Sequence, residues 1–365
     1  MAKKLYIGVA GVARKVKKMY FGANGAARKI KKGYVGIGGV ARPFFSGGEP
    51  SYYGSITPLS SKRSDSSGAT VGNYALFAGG NYSGTLQGTV DSYSSSLVKG
   101  TATNLDKSRG LMGATSVGDY ALFGGGTSNS NLVDAYNSSL THTAAPTLST
   151  GRVAISAVTV GNYALFAGGY TSSDRNTVDA YNSSLTRSAA TPLNTARRRT
   201  CQAAVGNYAL IAGGYHNGDY ERVVDAYNSS LTHTIATSLS VDRDEAVGVS
   251  VGDYALFAGG QPQTALVDAY NESLTRSSAP SLSEAKWDSS SATLGDYGLI
   301  AGGTLGMNES YYIELYDASL TKLPNFTMGD GVYQMAAASV GSYALFAGGR
   351  TTFNTYFDTV YAVTI

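Results

Sequence analysis

The chain has 365 residues, 43% of them hydrophobic and only 15% charged, with 46 Gly, 27 Tyr, a single Cys and a formal net charge of +3. One cysteine excludes an internal disulfide framework, and without an apolar run of about 18 residues no helical membrane span or membrane insertion is expected. The opening Met1-Ala-Lys-Lys-Leu-Tyr lacks the apolar block of a secretory signal, so synthesis in a bacterial cytoplasm is the expectation.

The charge is unevenly placed. Residues 1–49 carry eleven Lys/Arg and one acid, Glu49, whereas the rest carries 17 basic and 24 acidic side chains. Opposite charge on two regions suggests two tasks, so 1–49 and 50–365 are read as separate domains. The first contains a 14-residue repeat starting at Tyr6, Tyr20 and Tyr34. Each copy reads as strand, two-residue turn, strand, with Ala10-Gly11, Asn24-Gly25 and Gly38-Gly39 suited to turns that need positive φ. A small β-meander of six short strands is predicted. Strands so rich in Gly and Ala bury little, so the segment is expected to lean on a partner or on copies of itself as an anchoring and oligomerisation module. Its anchoring residues would be Tyr6, Arg14, Lys15, Tyr20, Arg28, Lys29, Tyr34 and Arg42. Nucleic acid is the less favoured partner, because charge is the only feature that points to it.

From residue 50 onward a second repeat takes over. Val71-Gly-Asn-Tyr-Ala-Leu-Phe-Ala-Gly-Gly80 recurs seven times, with its tyrosine at 74, 120, 163, 208, 254, 297 and 343. Each unit reads as four short strands. The Tyr-Ala-Leu-Phe-Ala strand is apolar on both faces and ends at Gly-Gly, where backbones crowd or φ turns positive. Seven four-stranded units at one period predict an all-β, seven-bladed β-propeller. The third strand, Val-Asp-Ala-Tyr, has its aspartates at 91, 134, 179, 225 and 268, then varies to Ile313-Glu-Leu-Tyr and Asp358-Thr-Val-Tyr. After that copy no fourth strand follows, while Tyr52–Ser60 matches the fourth-strand pattern before the first unit. Pairing of 52–58 with 356–364 is therefore expected to close the ring.

An apolar strand, Gly-Gly, a variable loop and then Val-Asp-x-Tyr resembles the kelch repeat over residues 52–365. The fourth strand departs from it, carrying Leu185-Thr-Arg or Leu231-Thr-His where kelch repeats usually have Trp, and the chain has one Trp, Trp287. The Asp-Ala-Tyr-Asn-Ser-Ser-Leu-Thr form and the basic 14-residue repeats look like phage and prophage structural proteins of Gram-positive bacteria. That resemblance implies a virion or phage-like particle as the mature location.

Catalytic signatures are sparse. His142 and His233 share a fourth-strand position with Arg187, Arg276 and Lys322, which reads as a polar surface site and not as a metal centre. Cys201 opens a first strand and reads as a small packed residue. The Ser-x-Asp-x-Gly-x-x-Trp boxes of sialidase-like propellers do not occur. Asp242, Asp244, Glu245 and Glu284 are the carboxylates with the best chance of meeting near the axis. No enzyme, cofactor or metal is expected.

Two patterns point to binding. Eleven residues before the core tyrosines stand Arg63, Arg109, Arg152, Arg197, Arg243 and Lys286, with Val332 breaking the series. They either ring one channel mouth as an anion site, with Arg197, Arg198 and Arg199 as its strongest arc, or bond the carbonyls and aspartates of the blades. The loops after Gly-Gly vary most, and in kelch propellers they open on the same face as the cations. Tyr82, Tyr170, Tyr215, Tyr220, Trp287, Tyr311 and Tyr312 could stack there on sugar rings. The expected function is a non-enzymatic particle component that docks on other particle proteins through 1–49. Its propeller would display a face to a host-surface glycan or another protein, as a homo-oligomer in the assembly. A purely structural decoration protein and a polysaccharide-acting enzyme are the alternatives.

Overall fold

The computed structural model describes residues 48–365 in full and, between 6 and 46, the backbone of six strands. Those six form three separate hairpins, Tyr6–Val9 with Val12–Lys15, Tyr20–Ala23 with Ala26–Lys29, and Lys32–Ile37 with Val40–Ser46. Two residues lie between the strands of each, as the repeat predicts. One continuous meander is not what the described strands make, because no ladder joins one hairpin to the next among them. The side chains named above as anchors lie outside the described residues.

Residues 51–365 build seven four-stranded antiparallel sheets. In the first, Ser67–Val71 is innermost, followed outward by Tyr74–Ala78, Val90–Ser94 and Lys99–Ala102. Sheets two to six repeat this order in sequence. In the seventh, Ala336–Val340, Tyr343–Ala347 and Val360–Thr364 are completed by Ser51–Ile56. Val360 lies opposite Ile56 and Thr364 opposite Ser51, with a bulge at Ala362/Val363. The closing strand falls where the repeat phase put it. The chain is a seven-bladed β-propeller.

Its core is seven apolar seams, one between each pair of neighbouring blades. Between blades 1 and 2, for example, Val71, Leu76, Ala78 and Val90 meet Ala121, Phe123 and Tyr136. On the other side of blade 1, Ala75, Phe77 and Tyr93 face blade 7. The second strand thus offers Leu and Ala to one neighbour and Ala and Phe to the other, so large packs against small along every seam. The third-strand tyrosine adds a polar tie: the Tyr93 hydroxyl donates to Thr57 O at 2.8 Å, and Tyr136 does the same to Thr103 O.

The register corrects one repeat assignment. Tyr361 sits opposite Phe346 just as Asp91 sits opposite Phe77, so Val360-Tyr361-Ala362-Val363 is the seventh Val-Asp-Ala-Tyr, and Asp358 precedes the strand. The Asn-x-Ser sequence that follows the third strand in four blades has a local cause. Asn137 Oδ1 accepts from Ser139 N and Thr141 N, closing the turn between third and fourth strands, and Asn182, Asn228 and Asn271 repeat this.

Innermost strands of neighbouring blades are too splayed for a ladder, and hydroxyls join them instead. Thr70, Ser116, Thr159, Ser250, Thr293 and Ser339 each donate to a carbonyl of the preceding blade. Ser250 Oγ reaches Ala204 O at 2.7 Å and Thr293 Oγ1 reaches Ser250 O at 2.8 Å. Only blade 4 breaks the circle, with Ala204 at the equivalent position. These strands line an axial cavity of ≈ 320 Å³, walled by groups such as Thr115, Gln202 and Ser291.

Candidate functional site

The two ends of the propeller differ in chemistry. One end, the back, carries the short uniform turns, such as Gly72-Asn73 packed beside Ser138. The other, the front, carries the blade-to-blade connections and the loops after Gly-Gly. In five of the six blades the residue after the repeating cation bridges the residue after Gly-Gly, as in Ser64 with Asn81, Arg198 with Tyr215 and Trp287 with Thr304, and in the other Thr127 N donates to Gly110 O. Cation segments and variable loops therefore share one face.

The cations themselves are not presented to a ligand. Arg63, Arg152, Arg197, Arg243 and Lys286 are 0% exposed and Arg109 is 1% exposed. Their side chains turn into their own blade and pair with its third-strand acid: Arg152 with Asp179 at 2.9 Å, Arg243 with Asp268 at 2.6 Å and Lys286 with Glu314 at 3.0 Å. Arg63, Arg109 and Arg197 pair likewise with Asp91, Asp134 and Asp225. Arg152 also donates to the carbonyls of Gly168, Thr150 and Phe166, at 2.7, 2.8 and 3.0 Å. Meanwhile its main chain bonds the preceding blade, with Gly126 N donating to Arg152 O. Each cation is thus a staple between blades, and the anion-ring reading gives way to that geometry. The Gly-Gly pair belongs to the same joint, since a Cβ on Gly79 would stand 2.2 Å from Arg109 O.

A second cation completes each unit from the fourth strand. Arg187 reaches Asp179 at 2.9 Å, Lys322 reaches Glu314 at 2.6 Å, and His142 and His233 approach Asp134 and Asp225 at 2.6 Å. The two histidines are partly buried and paired, which corrects their reading as plain surface positions. Burial alone would raise Asp91 and Glu314, but hydrogen bonds and the adjacent cations hold both below the usual carboxylate range. Blade 7 replaces the whole unit: Val332 stands at the cation position and the Tyr361 hydroxyl donates to Asp330. Asp106, Asp134 and His142 bring three donor atoms within 4.8 Å, yet Asp134 is already committed to Arg109. Cys201 is buried, and burial pushes its thiol up to about 12, so it is no nucleophile at neutral pH.

The aromatic loop residues are reached in two groups. Arg198 lies between the rings of Tyr170 and Tyr215, 4.5 and 5.0 Å from their centroids, and pairs with Asp174 at 2.7 Å. Tyr220 packs edge-on to Tyr215. Across the face, Tyr82 packs against Tyr356, while Tyr311 is half exposed beside Gly331 and Trp287 and Tyr312 are partly buried. Sequence reasoning missed the two most exposed apolar side chains here, Met307 at 83% and Phe353 at 82%. Their loops are tied by Thr352 Oγ1 donating to Met307 O at 3.2 Å. No periodicity marks either residue; loop length was the only signal.

At the axis the front narrows to a ring. Asp65, Leu111, Ala154, Arg199, Glu245, Asp288 and Gln334, each two residues after the cation position, all have φ of 50–56°. Six of the seven N–H groups donate to the ring carbonyl of the preceding blade, at 3.0–3.3 Å. Of the four carboxylates singled out from sequence, Asp244 and Glu245 meet here, with Asp65 and Asp288 as unforeseen neighbours. Asp242 pairs instead with Arg222 at 3.5 Å. Burial pushes Asp244 up to about 6, and burial followed by the charge of Glu245 raises Asp288. Glu245 and Asp65 are raised by burial as well.

No family model matches this chain, and no curated protein matches it. Solved structures do. The chain is similar to the structure of YjhT, with a TM-score of 0.58 and 11% identity over 85% of this chain and 97% of that one. At that identity the likeness is one of fold alone.

Proposed function

We propose that this is a non-enzymatic, kelch-like display protein of a phage or phage-like particle, docked through residues 1–49 and binding a host-surface glycan or another protein with its front face. One observation carries the reading. The closing strand starts at the back, where Ser51 lies opposite Thr364, and runs forward to Ile56. A Cβ on Gly48 would touch the Ile365 backbone, and the Tyr297 phenol, behind a back turn, is raised first by burial and then by the nearby Glu49 carboxylate. The basic segment therefore leaves from the face opposite the variable loops, and anchoring it leaves the front free. The exposed rings of Tyr82, Tyr311 and Phe353 suit stacking on sugars or apolar contact with protein. Support for a binding role over catalysis comes from the histidines and the cysteine, which are paired or buried.

The test uses particles. Deleting residues 1–49 should remove the protein from purified particles. Tyr82→Ala with Phe353→Ala should leave incorporation intact and abolish attachment to host cells. Incorporation without the segment would sink the anchoring idea. Unchanged attachment with the loop variant would favour a decoration role, and released sugar would favour an enzyme.

A further inference from the structure

The ring at the front mouth is chemically lopsided. Going round from blade 5 to blade 1, its positions are Glu245, Asp288, Gln334 and Asp65, whereas blades 2 and 3 contribute Leu111 and Ala154. Asp244 stands beside this arc, 2% exposed, and neither of its carboxylate oxygens accepts a hydrogen bond. Arg199 Nη1 is 3.0 Å from Glu245 Oε1 and 3.6 Å from Asp244 Oδ2, so both carboxylates face one spot. Arg350 is held by Gln334 at 3.0 Å, and Gln334 in turn donates to Asp288 at 3.1 Å. Four carboxylates thus face Arg199 and Arg350, while Arg198, whose charge also reaches Asp244, is already paired with Asp174. The arc is short of positive charge, and leaving a buried carboxylate uncompensated is costly.

We propose that the acidic arc of Asp65, Asp244, Glu245 and Asp288 is a binding site for an organic cation, a guanidinium or alkylammonium group entering the front mouth. A bare metal ion fits less well. Calcium holds its oxygens at about 2.3–2.6 Å, so ligand atoms must crowd within about 5 Å of one another. Among the described residues only Asp106, Asp134 and His142 bring three donor atoms within 4.8 Å. Carboxylates spread more widely suit a forked donor, and Arg199 already shows that a guanidinium fits between two of them. Such a cation has two sources. One is a free diamine or polyamine. The other is residues 1–49 of a second copy, with eleven Lys/Arg against one acid, which leave from the back and would make a head-to-tail contact. The site lies on the front face but does not depend on the particle reading, which the incorporation assay tests separately.

The experiment is calorimetric titration of the full chain with agmatine at low salt, alongside calcium chloride at matched ionic strength. Agmatine should give saturable heat and calcium none. Asp244→Asn with Asp288→Asn should weaken agmatine binding roughly ten-fold or more, a loss of about 1.4 kcal/mol. Should that pair fail to fold, Asp65→Asn with Glu245→Gln, at less buried positions, must show the same weakening. Light scattering identifies the source: association that agmatine dissolves points to the second copy, and a monomer that binds agmatine points to a free amine. No saturable heat, equal binding of calcium, or a folded variant that binds as the wild type does would each overturn the site.

Discussion

Arg152→Met tests whether the repeating cations hold the ring together. The guanidinium makes three hydrogen bonds to carbonyls, at 2.7, 2.8 and 3.0 Å, and one ion pair at 2.9 Å, all at 0% exposure. Methionine fills similar volume but leaves those carbonyls unsatisfied and strips Asp179 of its inner partner, although Ser149 and Arg187 remain. Breaking one side of a buried pair costs about 3–5 kcal/mol, and that is the loss expected in urea unfolding followed by tyrosine and tryptophan fluorescence. Blade 7 supplies the control, because it holds the same joint with Asp330, Val332 and Tyr361. Moving that solution into blade 3, as Thr150→Asp, Arg152→Val and Asp179→Tyr together, should recover at least half of the loss. If Arg152→Met costs under about 1 kcal/mol, the staple is ornamental and the seams alone set stability.

Ala204→Ser should add the missing hydroxyl bridge to Thr159 O and raise stability by about 0.5–1.5 kcal/mol, read as a higher urea midpoint. Gly248→Ala should destabilise by about 1–3 kcal/mol, because its Cβ would stand 2.2 Å from Gln202 O, a backbone atom that cannot step aside. Asp244 should make stability fall as pH rises between about 4 and 7: its folded pKa, about 6, lies above its unfolded value, so its stabilising contribution is full below pH of about 4 and is lost as pH rises through 6. A shift of this size is worth on the order of 2–3 kcal/mol, and Asp244→Asn should flatten that part of a pH series of unfolding midpoints.

The ring was legible because its units repeat. Seven phases of Tyr-Ala-Leu-Phe-Ala fixed the blade count, and a missing fourth strand at one end with a spare one at the other fixed the closure. The site was harder to read. Periodicity singled out Arg63 to Lys286 as cations but could not say which way they point, and burial with the third-strand acids decided it. Asp65, Glu245 and Asp288 share an offset of two from those cations, yet their neighbours Leu111 and Ala154 hide the pattern. What unites the position is a left-handed backbone, which no residue type announces when it is not glycine. Exposed loop residues such as Met307 and Phe353 lie outside any repeat, so only the folded loops place them.

The closing strand also sets a schedule. Ile56 finds its partner in Val360, so the first strand of the propeller must wait for its last. At bacterial and eukaryotic synthesis rates of about 5–20 residues per second, some 300 residues take about 15–60 s. Throughout that interval Ser51–Ile56 hangs from the nascent chain as an unclaimed edge, while six blades can already fold beside it. Neighbouring chains on one polysome could exchange this strand, giving interlocked rings from an otherwise self-contained fold. Load follows the same route: tension on a tether at residue 48 pulls first on the latch that synthesis completes last.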